Sequence, residues 1–433
     1  MSIIGLDIGT TTLSAVALDE STHAVLRRLT LPNDSFLSGR EWEKIQDPAR
    51  ILTKSQEMLE QLKTSFGPVR AIGLTGQMHG ILYADHLGRA VSPLYTWQDG
   101  RGNLTGPDGR RFAGALSEKT GYFLASGFGA VTHAWLLQNH QLPEKAARMS
   151  TIHAWLGMQL TGRNEPLLHA SDAASLGLYR IEAGCYDSAS IASLAPEYFP
   201  EVTKSACLLG HTPDGIPVLT AIGDNQANYL GSVNGEELTV LVNIGTGSQV
   251  SMQTDRYIAC PGCETRPLDG DKCLLVGAPL CGGRAYALLE KFLRSCAALT
   301  GVSADSLYER MNALAMDAPA NPLIVDTAFC GTRLNPDARG GIQNLGEDNF
   351  TPAHLIHGVL TGLSRELHGF YAQMTASSGT QAVRLIASGN AVRLNPALQK
   401  ILSDLFGMPC ALPSHEEEAA TGAALLAAKH LLK

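Results

Sequence analysis

One strand-and-turn pattern occurs twice in this chain, and the repetition limits what the sequence can fold into. The first copy is the apolar run Ile3-Ile4-Gly5-Leu6-Asp7-Ile8, which turns through Gly9-Thr10-Thr11-Thr12 into a second apolar run from Leu13 to Leu18, closed by Asp19. Two apolar runs around a glycine turn read as a β-hairpin. The second copy is Leu241-Val242-Asn243-Ile244-Gly245-Thr246-Gly247-Ser248, which runs into Gln249-Val250-Ser251-Met252 and carries Asn243 where the first carries Asp7. A tight turn of this kind offers backbone N–H groups and hydroxyls to a phosphate, and Asp7 offers a carboxylate to a hydrated Mg²⁺. Copies at corresponding places in two halves predict two similar domains facing each other across one nucleotide.

The length of 433 residues fits that division, since it exceeds what one ordinary core holds. The stretch from Asn228 to Glu237, with Gly231 and Asn234-Gly235, marks the predicted junction, giving domains 1–232 and 233–433. A net charge of −8 gives no electrostatic case for nucleic acid or an anionic membrane, so an anionic ligand needs local donors. No apolar run is long enough to span a bilayer, and the N-terminus enters a strand with no basic leader. Nine scattered cysteines, an odd number, predict reduced thiols and a cytoplasmic protein. Cys260-Pro261-Gly262-Cys263 invites a zinc reading with Cys273 and Cys281, but a second close pair is missing, which favours structural thiols.

Chemistry-bearing residues gather where strands end. Val69 to Thr75 runs into Gly76-Gln77-Met78-His79-Gly80, which puts Gln77 and His79 where clefts of α/β sheets open, although a lone histidine also suits a core. Trp97-Gln98-Asp99-Gly100-Arg101 could bind a polyhydroxylated ligand, or could be an Asp–Arg turn with a packed tryptophan. Gly127-Phe128-Gly129 opens a helix without forming a dinucleotide fingerprint, Thr151-Ile152-His153 starts another, and Ser171-Asp172-Ala173-Ala174-Ser175 reads as a polar loop. Pro217 to Ile222 ends in Gly223-Asp224-Asn225-Gln226-Ala227, where Asp224 serves equally as a helix cap or as a carboxylate facing a cleft; the hairpin that follows it tips the reading to function. In the second half, Leu355 to Met374 is a long amphipathic helix, and Val383 to Ala387 ends in Ser388-Gly389-Asn390-Ala391, small enough for a flat ring to lie on backbone. Glu416-Glu417-Glu418 suits the start of a closing alanine-rich helix. No P-loop and no protein-kinase signature occurs, so what remains is a two-lobed phosphate site with a carboxylate beside a sugar-like pocket, the parts list of phosphoryl transfer.

Taken in order, Leu6-Asp7-Ile8-Gly9-Thr10-Thr11, Gly76-Gln77-Met78-His79-Gly80, Trp97-Gln98-Asp99-Gly100-Arg101, Gly223-Asp224-Asn225-Gln226-Ala227, Asn243-Ile244-Gly245-Thr246-Gly247, Ser388-Gly389-Asn390 and the tail from Glu417 to Ala427 resemble the FGGY carbohydrate kinases over nearly the whole length. The resemblance implies an α/β fold with two ribonuclease-H-like domains of the actin and hexokinase superfamily flanking a central cleft, closing on ATP, Mg²⁺ and a sugar or polyol. It implies Asp224 as catalytic base and Asp7 as the aspartate at the metal and phosphates. It implies Gly9, Thr10, Thr11, Thr12, Gly245, Thr246 and Gly247 as phosphate loops and Gly389 and Asn390 at the adenosine. Met78, His79 and Asn225 would contact the sugar together with Asp224, with Gln77 and Asp99 as further substrate-binding positions. Ser388 stands where many relatives carry glycine. Within the family the motifs are most similar to ketose kinases, implying sedoheptulose as acceptor at its terminal hydroxyl, with D-xylulose as the alternative. A non-catalytic nucleotide sensor on the same scaffold is the reading from another class. The implied partners are small molecules, with neither nucleic acid nor membrane, and a homodimer is compatible with the resemblance.

Overall fold

The computed structural model describes residues 1–236, 238–303, 305–317, 319–332, 335, 337–415 and 417–431. Glu237, in the predicted junction, and Glu416, in the predicted acidic helix start, lie outside the described residues. The chain forms two compact units: one of residues 1–235, 266–272 and 415–433, the other of 236–265 and 273–414. The units are therefore not separated by a single cut at 232/233: the C-terminal segment packs with the first.

In the first unit, β1 (Ser2–Ile8), β2 (Thr12–Asp19) and β3 (Val25–Pro32) form an antiparallel meander, and β4 (Val69–Gly76) lies parallel to β1 on its other side. Beyond β4 the sheet continues through β6 (Pro217–Leu219), parallel to β4, to the edge strand β5 (Leu208–His211), while the short β7 (Ile222–Gly223) also pairs with β4. Strand alternation sends the β1 side chains to opposite faces. Ile4, Leu6 and Ile8 pack with Ile51, Met58 and Leu62 of α1 (Pro48–Phe66) and with Ile152, Trp155 and Leu156 of α2 (Ile152–Thr161). Asp47 starts α1 by accepting from the Ala49 N–H, with Pro48 at the first position, where its missing N–H costs nothing. Burying each such Leu or Ile is worth about 2 kcal/mol.

On the other face Ile3, Val16 and Ala71 meet Ala420, Ala424 and Ala427 of the C-terminal helix Glu418–Leu431. Here glycines set the spacing. A Cβ on Gly5 would lie 1.9 Å from the Ala420 carbonyl oxygen, one on Gly73 2.0 Å from that of Ala423, and one on Gly422 1.8 Å from that of Ala227. The helix backbone thus lies directly on the sheet and on the helix that follows β7. The polar loop predicted at 171–175 is instead a short helix, α3 (Ala170–Leu176). Its serines and aspartate read as loop formers, but the His169 side chain caps its start by accepting from the Ser171 N–H, and its polar residues are buried and bonded to neighbouring elements. The helix α4 (Asp224–Val233) begins directly after β7.

The second unit repeats the plan. The strands β8 (Thr239–Ile244) and β9 (Ser248–Thr254) form the hairpin, β10 (Lys272–Gly277) extends it antiparallel, and β11 (Arg384–Ser388) and β12 (Cys410–Ala411) continue parallel on the far side of β8. Its core joins Val240, Val242 and Ile244 to α5 (Arg284–Ala298), α6 (Pro352–Ser378) and α7 (Pro396–Phe406). The long amphipathic helix predicted over 355–374 is α6, buried through Ile356, Val359, Leu360, Leu363 and Leu367. No described helix is long and apolar enough to cross a membrane.

Candidate functional site

Parallel pairing of β4 with both β1 and β7 sets Asp7 beside Thr75, and Gly223 beside Gly76. Asp7 and Asp224 thus emerge from the same end of the sheet, on strands that flank β4. Both are partly buried, and both carboxyls titrate far above the usual range. Burial, then the Asp224 charge, pushes Asp7 up to about 7. Burial pushes Asp224 up to about 6, against the pull of His153, the Asn225 N–H and Arg266. The Asp7 Oδ1 and the neighbouring Thr75 hydroxyl are both buried without a hydrogen-bond partner. An orphaned carboxylate oxygen in a locally anionic setting fits a divalent cation. Among the described residues no group of three or more His, Cys, Asp and Glu side chains could hold a metal by itself. That fits Mg²⁺, which often takes one or two protein carboxylates and completes its shell with water and phosphate oxygens.

The turn after β1 has its acceptors consumed by the protein. The Ile8 carbonyl accepts from the Gln77 N–H at 2.9 Å, that of Gly9 from Asn33 Nδ2 at 2.8 Å, that of Thr10 from Gln46 Nε2 at 2.8 Å, and that of Thr11 from the Asn33 N–H at 2.8 Å. Trp97 Nε1 donates to Thr10 Oγ1 at 2.9 Å, and Thr11 and Thr12 are exposed. A turn whose carbonyls all point inward to donors is a suitable cradle for an anion.

The remaining predicted residues of this unit separate into two groups. Met78, Asn225 and Asp224 come together: Asn225 Nδ2 reaches Met78 Sδ at 3.4 Å and Asp224 Oδ1 at 3.3 Å. His79 stacks on Phe128, ring centroids 4.5 Å apart, with left-handed backbone at φ +71°. Gln77 is buried and turned to the hairpin instead, donating to Gln46 Oε1 at 2.8 Å and facing Thr10 Oγ1 at 3.3 Å. Asp99 forms the Asp–Arg turn that the sequence offers as the second reading of its motif. Its carboxylate binds Arg101 Nε at 2.6 Å and Nη2 at 3.1 Å and also accepts from the Lys44 and Arg101 N–H groups, so its oxygens are spent on a buried ion pair. The Arg101 guanidinium lies over Tyr95, Trp135 and Trp42, while Trp97 stays half-exposed and free to stack on a ligand.

His153 and Asp172, quoted in the sequence only as motif members, form a fully buried pair, Nε2 to Oδ1 at 2.8 Å. Burial alone would lower the His153 pKa, but Asp172, then Asp224 and Asp7, hold it above its ordinary value. No sequence spacing announces this pair, because the partners are brought together by α2 and α3.

In the second unit, the exposed Gly245, Thr246 and Gly247 form the turn of the second hairpin. Gly282 and Gly283 press against it: a Cβ on Gly283 would fall 2.1 Å from the Gly245 carbonyl oxygen. Gly389 takes φ +92° and packs as closely on Ile244, where a Cβ would meet its carbonyl oxygen at 2.3 Å. Beside them opens a cavity of about 500 Å³, lined by Gly245, Thr246, Gly283, Arg284, Tyr286, Ala287, Tyr308, Asn312, Asn390, Ala391, Leu394 and Leu398, among others. That is the size and mixture of a small-molecule site. Tyr286, Tyr308 and Asn312 were not foreseen; Tyr286 donates to Asn312 Oδ1 at 2.9 Å and Asn312 Nδ2 donates to the Leu394 carbonyl at 3.0 Å, giving the cavity a polar, fixed edge.

The chain matches the N-terminal domain of the FGGY family of carbohydrate kinases over residues 2–231 and the C-terminal domain over 240–431. It is 27% identical to the sedoheptulokinase of Mus musculus, over 98% of this chain and 96% of that one. It is also 27% identical to the glycerol kinase of Alkalilimnicola ehrlichii, over 99% and 90% respectively. Among solved structures, the xylulose kinase of Rhodospirillum rubrum superposes with a TM-score of 0.84 at 21% identity, over 99% of this chain and 89% of that one. Plasmodium falciparum glycerol kinase with ADP gives 0.80 at 20% identity, over 99% and 89%. With family matches covering nearly its whole length, the chain belongs to the FGGY family of carbohydrate kinases.

Proposed function

We propose that this carbohydrate kinase transfers the γ-phosphoryl group of ATP to the terminal hydroxyl of a ketose, with sedoheptulose as acceptor and sedoheptulose 7-phosphate as product. D-xylulose, giving xylulose 5-phosphate, is the alternative. The ketose is assigned to the first unit, against Met78, His79, Asn225 and Asp224. The adenosine is assigned to the cavity beside Gly389 and Asn390, and the phosphates to the turns at Gly9–Thr12 and Gly245–Gly247. Nine cysteines, none of them in a disulfide, support a reducing, cytoplasmic setting.

One observation carries the reading: Asp224, at the start of α4, has a carboxyl pushed up to about 6 and shares Asn225 with Met78. Such a carboxylate is ionised at neutral pH yet basic enough to take a proton from an alcohol as the alcohol attacks phosphorus. Asn225 orients it, and each turn offers backbone N–H groups to phosphate oxygens. Asp7 would hold Mg²⁺, which when bound neutralises charge on the transferring phosphates. The choice of sedoheptulose is supported by relatives of that name aligned over 96% of their length.

A coupled ADP-release assay with sedoheptulose, D-xylulose, ribulose and glycerol tests the proposal. The expected order of kcat/KM puts sedoheptulose first. A preference for D-xylulose or glycerol would replace the substrate and keep the chemistry. Nucleotide binding with no turnover on any acceptor would point to the sensor.

A further inference from the structure

We infer that two serines of the short helix α3, Ser171 and Ser175, are positioning residues: Ser171 sets the approach of the base Asp224, and Ser175 fixes the backbone and ring of His79. This inference rests on the kinase reading above. Ser171 is buried, and its Oγ accepts from the Gly223 N–H at 3.0 Å. Gly223 immediately precedes Asp224 and caps α4, with no side chain of its own to fix the helix start. The direction of the bond is settled one step further back. His169 Nδ1 accepts from the Ser171 N–H at 3.2 Å, so it carries a lone pair, and the Ser171 hydroxyl lies 2.8 Å from it. The hydroxyl proton therefore goes to His169, leaving the oxygen to receive the Gly223 amide.

Ser175 holds His79 at two points. Its Oγ accepts from the His79 N–H at 3.1 Å, and its carbonyl oxygen lies 2.7 Å from His79 Nδ1. A carbonyl only accepts, so Nδ1 is protonated and a neutral ring carries its lone pair on Nε2. The same contacts support a left-handed backbone, φ +71°, that a histidine seldom adopts without help. Ser175 Oγ in turn donates to the Asp172 carbonyl at 2.8 Å. Between the serines, Asp172 binds His153, whose ring packs so tightly on Gly76 that a Cβ there would lie 2.9 Å from Nδ1. One helical turn and a half thus fixes the segments carrying Gly76, His79 and Asp224, none of them adjacent in sequence.

Steady-state kinetics on the full-length protein separates the two roles. Ser171→Ala is expected to lower kcat about tenfold, with KM for the ketose and for ATP within about twofold. Ser175→Ala is expected to raise the ketose KM about tenfold, with kcat within about twofold. Ser171→Thr and Ser175→Thr, which keep the oxygen, are expected to recover most of each loss. ADP affinity, a property assigned to the second unit, should not change in any of them. Should an alanine variant fail to fold, Ser→Cys at the same position, similar in size and weak as an acceptor, takes its place with an intermediate effect expected. Folded variants with wild-type kcat and KM, or variants in which both parameters fall together without rescue by threonine, overturn the positioning roles. A wild-type enzyme that turns over no sugar or polyol overturns the kinase reading, and this inference with it.

Discussion

The two hairpins share one plan but differ where Asp7 of the first is Asn243 in the second. In the second unit Asn243 lies opposite Ser388 on the parallel strand and donates to its hydroxyl at 2.7 Å. In the first unit the corresponding pair is Asp7 and Thr75, and there Asp7 Oδ1 and Thr75 Oγ1 are both buried and unpartnered. Asn243 closes its gap to Ser388 with an amide N–H, whereas no hydrogen bond joins Asp7 Oδ1 to the Thr75 hydroxyl. The second copy is therefore satisfied by the protein and the first left with an oxygen to spare. Leaving such a group unsatisfied costs stability, and the cost is tolerated where something else is meant to bind. The two copies thus differ in one respect that can bear on function: only the first keeps a buried carboxylate oxygen without a partner.

The largest effect should come from the base beside the unsatisfied copy. Asp224→Asn is expected to lower kcat by about 10²- to 10⁴-fold while ADP and ketose still bind, measured by coupled assay and calorimetry; near-normal turnover would remove Asp224 from its role. Exchanging the copies comes next. Asp7→Asn makes the first hairpin like the second and should lower kcat at least about 10²-fold, whereas Asn243→Asp, the reverse exchange, should leave kcat within about tenfold, because the second copy holds no reacting group. If both exchanges cost the same, the asymmetry is lost.

The asymmetry also has a pH signature. A carboxyl raised to about 7 binds its proton more tightly in the folded than in the unfolded chain, so its contribution to stability is complete at low pH and lost as pH rises through 7. With Mg²⁺ chelated, Asp7→Asn should therefore raise the melting temperature at pH 8 and leave it nearly unchanged at pH 4. Catalysis runs the other way, since Asp224 must be ionised: kcat should fall below about pH 6 and level off above it. The smallest effect is expected from Asn243→Ala, about 1 kcal/mol of stability by denaturant titration with little change in kcat.

Much of this was legible because the chemistry sits at strand ends. A strand, a glycine and a polar cluster leave a local signature, so Asp7, Met78, His79, Asp224 and the turns at Gly9 and Gly245 could be singled out from the residues around them. The sequence left Asp99 open between a ligand contact and an Asp–Arg turn, because the burial of its ion pair with Arg101 under Tyr95, Trp42 and Trp135 is not written in the residue spacing. The helix α3 was hidden for the opposite reason. Ser171, Asp172 and Ser175 look like loop residues until tertiary partners claim their polar groups. Tyr286, Tyr308 and Asn312 are brought to the cavity from two separate helical segments, a proximity that only folding creates.

The glycine contacts beneath the closing helix bear on how the protein is made. Gly5 and Gly73, near the start of the chain, wait for Ala420 and Ala423, which leave the ribosome some 350 residues after Gly73. Until then one side of the first sheet stays bare, so the first unit matures only after the second has been translated. A nonsense mutation anywhere in the later unit would disable both, and no fragment ending before residue 418 should accumulate as a stable sugar-binding module.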